Sequence, residues 1–282
     1  MRYTLGCALC GERLQTVMYK IGWFSSGRGA GSRALLTTIA EGIVWGEIPA
    51  KIVFVFCNRE PGHSEETDRF LDLVKSYDLP LVCFSSREFR ARRPFDDMST
   101  WRTNYDREVM RRLEGFQVDL CVLAGYMLIV GTEMCQEYTM INLHPAAPGG
   151  PKGTWREVIW QLIESRAERT GIMMHLVTPE LDEGPPISYC TFSLRGKPFD
   201  EHWERLAREP LGEIRGSEGE EFALFKLIRQ HGLKRELPLI VSTVKAFSED
   251  RLRVEGRRIV DANGNSMPAY NLTTEIDRIV SA

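Results

Sequence analysis

Two hydrogen-bond donors, Asn142 and His144, stand two residues apart where the apolar run YTMINLHP gives way to AAPGGPKG. In an extended segment, residues two apart project to the same side. An amide NH2 and an imidazole N–H would then converge on one point, as donors that stabilise a developing oxyanion do. The alternative is that both only help the chain to turn. Asp182 sits in a second polar segment, HLVTPELDEGPPI, residues 175–187. An Asp in such a turn is ordinarily a turn former. If the turn folds back to His144, its carboxylate would orient the imidazole and favour the charged ring. His175 lies in an apolar run and reads as a structural histidine. His63, His202 and His231 lie in polar contexts and read as solvated.

Two further segments have unusual composition. SSGRGAGSRALL, residues 25–36, follows an apolar run and precedes a helical pattern. Small residues there allow close backbone approach, and a helix N-terminus favours an anion. Ser32 replaces the third glycine of a dinucleotide fingerprint, and no Gly-Lys-Ser/Thr closes the loop as in a triphosphate site. One phosphate monoester fits; a turn that merely permits tight packing fits too. LAGYMLIVG, residues 123–131, reads either as a pocket wall or as core beneath the next helix.

The elements that must position these residues are legible as a rhythm. YKIGWFSS, AKIVFVFCN, LPLVCFSS, VDLCVLAG and YTMINLHP have the length of buried strands. Helical patterns separate them: SRALLTTIAEGIVWG, SEETDRFLDLVKSYD and TNYDREVMRRLEGF. This alternation implies an α/β fold, a doubly wound and mostly parallel sheet. In such sheets ligands bind beyond the carboxyl ends of the strands, where the polar segments fall. Further on, TWREVIWQLIESRAER reads as a helix, and TGIMMHLVTPE and PPISYCTFSL as strands. One or two helices are expected over 199–233 and another near 236–247, with a hairpin or extended tail in RLRVEGRRIVDANGN. Arg87 to Thr100, basic and then acidic, reads as an exposed loop. The expected organisation is an N-terminal extension over 1–17, a catalytic domain over 18–195, and a C-terminal helical and short β segment over 196–282 packed on it.

Composition narrows the function classes. The 282 residues are 43% hydrophobic and 27% charged, with a net charge of −3. A core can form, and the charge makes no case for nucleic acid or an anionic membrane. No apolar run reaches the ~18 residues of a membrane span, and the N-terminus lacks signal-peptide features; a cytoplasmic protein is expected. The seven cysteines lie mostly in apolar runs and read as reduced core thiols. Cys7 and Cys10 form a C-x-x-C without a second close pair to complete a tetrahedral site, so no metal is expected.

Taken in order, the glycine-rich loop, LAGYM, INLHPA and HLVTPELDEGP resemble the folate-dependent formyltransferase family over roughly residues 18–195. The resemblance implies a Rossmann-type formyltransferase fold and transfer of a formyl group from 10-formyltetrahydrofolate, a co-substrate, to an amine. The acceptor it implies is glycinamide ribonucleotide, a step of purine biosynthesis. By resemblance, Asn142 and a protonated His144 bind the oxyanion, while Asp182 keeps His144 charged and orders a water that carries the proton. The folate would lie against Met127, Leu128, Ile129 and Val130 through main-chain groups, and against the Thr178–Leu181–Asp182 turn, with Arg102 nearby. Gly27, Arg28, Gly29, Ala30, Gly31 and Ser32 would hold the acceptor's phosphate. The loop is one residue longer than the family's and lacks its Asn; Arg28 and Arg33 offer charge instead. Partners implied are two small molecules, a folate and a phosphorylated amine, with the chain a monomer or homodimer. A different acceptor, water as acceptor, or a folate- or phosphoribosyl-binding protein without catalysis are the competing readings.

Overall fold

The computed structural model describes residues 18–94 and 97–281; the Cys7–Cys10 pair and the 1–17 extension lie outside them. Five apolar runs become parallel strands: β1 (Tyr19–Ser25), β2 (Ala50–Cys57), β3 (Leu81–Cys83), β4 (Leu120–Leu123) and β5 (Met140–His144). They pair in the order β3-β2-β1-β4-β5. Parallel strands need crossovers, and these cover both faces, which is why the strands read as continuous apolar runs. The crossovers are α1 (Ala30–Val44), α2 (Glu65–Ser76), α3 (Ser86–Ala91) with α4 (Met98–Leu113), and α5 (Thr132–Glu137). Alternation along β1 sorts the two faces. Ile21 and Trp23 pack with Leu36, Ile39 and Phe70, while Phe24 packs with Phe54, Phe56 and Tyr105 on the other side.

The remaining strands run differently. After α6 (Trp155–Glu164), β6 (Arg169–Leu176) pairs antiparallel with β5, and β7 (Pro186–Ser193) antiparallel with β6. A helical segment follows: α7 (Asp200–Arg208), α8 (Leu211–Ser217) and α9 (Ala223–Ser248). Then come the hairpin β8 (Arg253–Glu255)–β9 (Arg258–Val260), β10 (Tyr270–Asn271) and α10 (Thr273–Ser281). β10 pairs parallel with β7 and completes an eight-stranded sheet. Phe192, Leu194, Phe199, Trp203 and Phe225 form a third apolar cluster under the helical segment.

Three expectations are corrected. Arg87–Thr100 is not a plain loop: α3 occupies most of its first part and α4 begins at Met98. Ser85 and Asp97 cap these helices, accepting the N–H groups of Glu88 (3.1 Å) and Thr100 (2.8 Å). Phe89 anchors α3 on Tyr105 of α4, at 5.5 Å between ring centroids, and Trp101 stacks on Tyr105 within α4 at 5.3 Å. The stretch near 236–247 is not a separate helix, because α9 runs through Pro238 without a break. None of His63, His202 and His231 is simply solvated: each is half-buried, with His63 Nε2 3.2 Å from Glu88 Oε1 and the His231 ring centroid 5.8 Å from Phe192 and 4.9 Å from Phe199.

Candidate active site

The chain winds outward from β1 to β3, then returns to β4 on the other side of β1. That reversal opens a crevice beyond the carboxyl ends of β1 and β4, where ligands bind in this architecture. The two loops lining it are tied together. Ser26 N–H donates to Gly125 O at 3.0 Å, and Met127 N–H donates to Ser26 Oγ at 3.0 Å. Gly125 has φ +70°, and a Cβ there would lie 2.9 Å from Ser32 Oγ, so only glycine lets the loops approach this closely. On the β1 side, Gly27 (φ +57°), Arg28 and Gly29 lead into α1, whose first turn holds Ala30, Gly31 and Ser32. That turn has no side-chain cap and no acidic residue, leaving its N–H groups and dipole for an anion. Partial desolvation, and then the neighbouring Arg59 guanidinium, hold Arg28 below the ordinary arginine value. Arg33, expected to add charge here, is committed to Glu66 at 2.6 Å. Arg59 takes that place; it follows β2 and donates to Thr67 Oγ1 at 3.2 Å.

His144, at the end of β5, meets Asp182, and Asn142 is joined to the same carboxylate through His175. The Asp182 turn folds back so that Oδ2 lies 3.5 Å from His144 Nδ1. Asp182 has φ +54°, uncommon for a non-glycine residue. Gly184 makes the fold-back possible: a Cβ there would lie 1.6 Å from Leu176 O. His175, read as merely structural, belongs to this group. It is the cross-strand partner of Asn142. Its Nδ1 lies 2.9 Å from Leu176 O, which can only accept, so Nδ1 carries the proton. Its Nε2 lies between Asn142 Nδ2 at 3.1 Å and Asp182 Oδ1 at 3.6 Å, so His175 packs between the two. The antiparallel pairing of β5 with β6 creates this contact, and no local signal in the sequence announces it.

His144 is 2% exposed. Its Nε2 lies 2.8 Å from Pro151 O and so carries a proton. Burial pushes the imidazole below its usual value; Asp182 and the Pro151 carbonyl pull it back up without overcoming burial. Burial thus opposes the charged ring that the resemblance implies, while Asp182 and the Pro151 carbonyl favour it. Asp182 behaves oppositely. Burial raises its carboxyl, but the His175 contact, the Gly153 N–H at 3.0 Å and the two nearby imidazoles together hold it below the usual value.

The loop after β4 divides into surface and core. Met127 is exposed, Leu128 and Ile129 are half-buried, and Val130 is core, so its side chain offers nothing to a ligand. The Met127 N–H is already used by Ser26. Thr178 is buried and donates to Glu180 O at 3.1 Å, whereas Leu181 is exposed. Arg102, on α4, lies against Gly131 at the loop's end. Gly131 N–H donates to Asp106 Oδ2 at 2.6 Å. Asp106 is 4% exposed, and burial lifts its carboxyl to about 6 against the opposing effects of Gly131 and Arg102. Among the described residues, no group of three or more His, Cys, Asp or Glu comes together to hold a metal ion. Nor is any described helix long and apolar enough to cross a membrane.

Comparison with known proteins gives the same picture. The Haemophilus influenzae phosphoribosylglycinamide formyltransferase is 25% identical over 260 residues, covering 92% of this chain and all of that one. The Escherichia coli protein of the same name is 28% identical over 164 residues, covering 57% and 67%. A glycinamide ribonucleotide transformylase structure from Symbiobacterium toebii superposes with a TM-score of 0.61 at 23% identity, over 87% of this chain and 94% of the other. A formyltetrahydrofolate deformylase from Pseudomonas syringae gives 0.58 at 21% identity, over 87% and 66%, so the architecture alone does not separate the two activities. The family model described as formyl transferase matches residues 20–193, from the second residue of β1 to the last of β7. The chain belongs to the formyl transferase family and is a formyltransferase-type enzyme.

Proposed function

We propose that the enzyme transfers the formyl group of 10-formyltetrahydrofolate to the amine of glycinamide ribonucleotide. One observation carries this reading. Asn142, His144 and Asp182, from separate segments, converge at the carboxyl end of the sheet that also presents the uncapped α1 N-terminus with Arg28 and Arg59. The first group suits a reacting carbonyl and the second a phosphate, and the acceptor carries an amine and a phosphate. Met127 and Leu181 are the large apolar side chains left exposed on the loops after β4 and β6, fitting walls for a planar ring, with Arg102 as a cation for a carboxylate.

The acceptor nitrogen forms a bond to the formyl carbon, and the carbonyl electron pair moves to oxygen. Asn142 Nδ2 and His144 Nε2–H donate to that oxyanion. Negative charge beside the ring raises its proton affinity, and a second proton on Nδ1 would face Asp182 Oδ2. Collapse re-forms the carbonyl and breaks the bond to the folate nitrogen. The attacking amine loses one proton and the folate nitrogen gains one, with Asp182 directing a water between them.

A formyl-transfer assay across acceptors tests this. Turnover should be greatest with glycinamide ribonucleotide and fall when its phosphate is removed. Release of formate without any acceptor at a comparable rate would make the enzyme a deformylase.

A further inference from the structure

The imidazole just assigned to the oxyanion is closed off. Both His144 nitrogens face acceptors, Pro151 O at 2.8 Å and Asp182 Oδ2 at 3.5 Å, and the residue is 2% exposed. Such a group cannot touch a substrate until its cover moves. The cover is residues 149–153. Gly149 (φ +77°) and Gly153 (φ +107°) bracket it, both in the left-handed region that glycine enters freely. Three contacts hold it down. Pro151 O accepts from His144, Gly153 N–H donates to Asp182 Oδ2 at 3.0 Å, and Lys152 Nζ pairs with Glu183 Oε1 at 2.7 Å. The first places a carbonyl oxygen on the N–H that a formyl oxygen would use. The third joins side chains about half exposed, 51% and 54%, so it is a weak and reversible tie.

We propose that residues 149–153 form a strap, latched by Lys152 and Glu183, whose Pro151 carbonyl holds the His144 Nε2–H until the donor's formyl oxygen replaces it. The identity of the displacing group rests on the function proposed above; the closure itself rests on the contacts. Donor affinity is then reduced by the fraction of molecules that are open, and loosening the latch raises that fraction.

Two variants test the strap, Lys152→Ala and Glu183→Gln, with diethyl pyrocarbonate as the probe and no substrate present. Carbethoxylation of His144 is followed by peptide mass spectrometry, with His202, whose side chain is 23% exposed, as reference on the same chain. His144 should react far more slowly than His202 in the wild type, and roughly two- to fivefold faster in either variant, as loss of an exposed ion pair allows. The double variant should react no faster than the quicker single one. The donor KM should fall by a similar factor. Equal His144 rates in all four proteins, or a wild-type His144 as reactive as His202, would overturn the strap whatever the turnover. Faster labelling in the variants without turnover on any acceptor would keep the strap and reject the assigned reaction.

Discussion

Asp106→Asn should stabilise the protein near neutral pH and leave it unchanged or weaker in acid. The Asp106 carboxyl is 4% exposed and is lifted from 3.8 to about 6, chiefly by burial. Between those values the unfolded chain has released a proton that the folded chain still holds, so stability falls as pH rises through this window. A rise of about two units at ~1.4 kcal/mol each makes the loss ~3 kcal/mol above pH 6. Asn keeps an oxygen to accept the Gly131 N–H, now at 2.6 Å from Oδ2, while removing the charge. Its own NH2 must be desolvated, which costs ~1–2 kcal/mol, leaving a net gain of roughly 1–2 kcal/mol at pH 7. Urea unfolding of both proteins at intervals from pH 4 to pH 8 measures this directly. The two curves should diverge as pH rises from 4 to 6 and run parallel above. Curves parallel throughout would mean that Asp106 ionises normally and that burial does not govern it.

Gly184→Ala should destabilise by roughly 1–3 kcal/mol and lower kcat further by displacing Asp182, since the new methyl would overlap Leu176 O; an unchanged urea midpoint would contradict this. His144 sits below its usual 6.5 because of burial, so the unfolded chain takes up that proton first. Stability should therefore decline as pH falls below about 6.5 towards the folded-state value, and less steeply in His144→Gln; equal slopes would refute it. Asp182 is held low, so its contribution should be full above 3.8 and be lost progressively as pH falls from there to its depressed value. Arg59→Ala should raise the KM of a phosphorylated acceptor about tenfold or more, as loss of a charged hydrogen bond does. Arg33→Ala should change it less than about threefold, because Arg33 is spent on a partly buried pair with Glu66; equal effects would remove Arg59 from the site.

Much of this architecture could be read from local pattern. The inner parallel strands announced themselves because burial on both faces makes each a mostly apolar run, whereas β3, at the sheet edge, is half-buried. Asn142 and His144 were placed by the period of two, and Asp182 by resemblance rather than by any local rule. What pattern missed was decided by distant contacts. His175 looks like core until β6 lies antiparallel to β5 and sets it against Asn142. The polar run near Arg87–Thr100 hides Phe89, whose edge-on contact with Tyr105 packs α3 against α4, and leads into Trp101, which stacks on Tyr105. Arg59 and Arg33 look alike in sequence, and only the position of Glu66 decides which one remains beside the phosphate loop. Position also sets burial against the expected charge of His144, which the carboxylate 3.5 Å away favours.

Single-turnover formyl transfer from 10-formyltetrahydrofolate to glycinamide ribonucleotide by His144→Ala tests the central claim most directly. Loss of one oxyanion donor should slow the chemical step by roughly 10²–10³ with little change in acceptor affinity. A rate within threefold of wild type would contradict the role assigned to His144 and, with it, the proposed use of the Asn142–His144–Asp182 group.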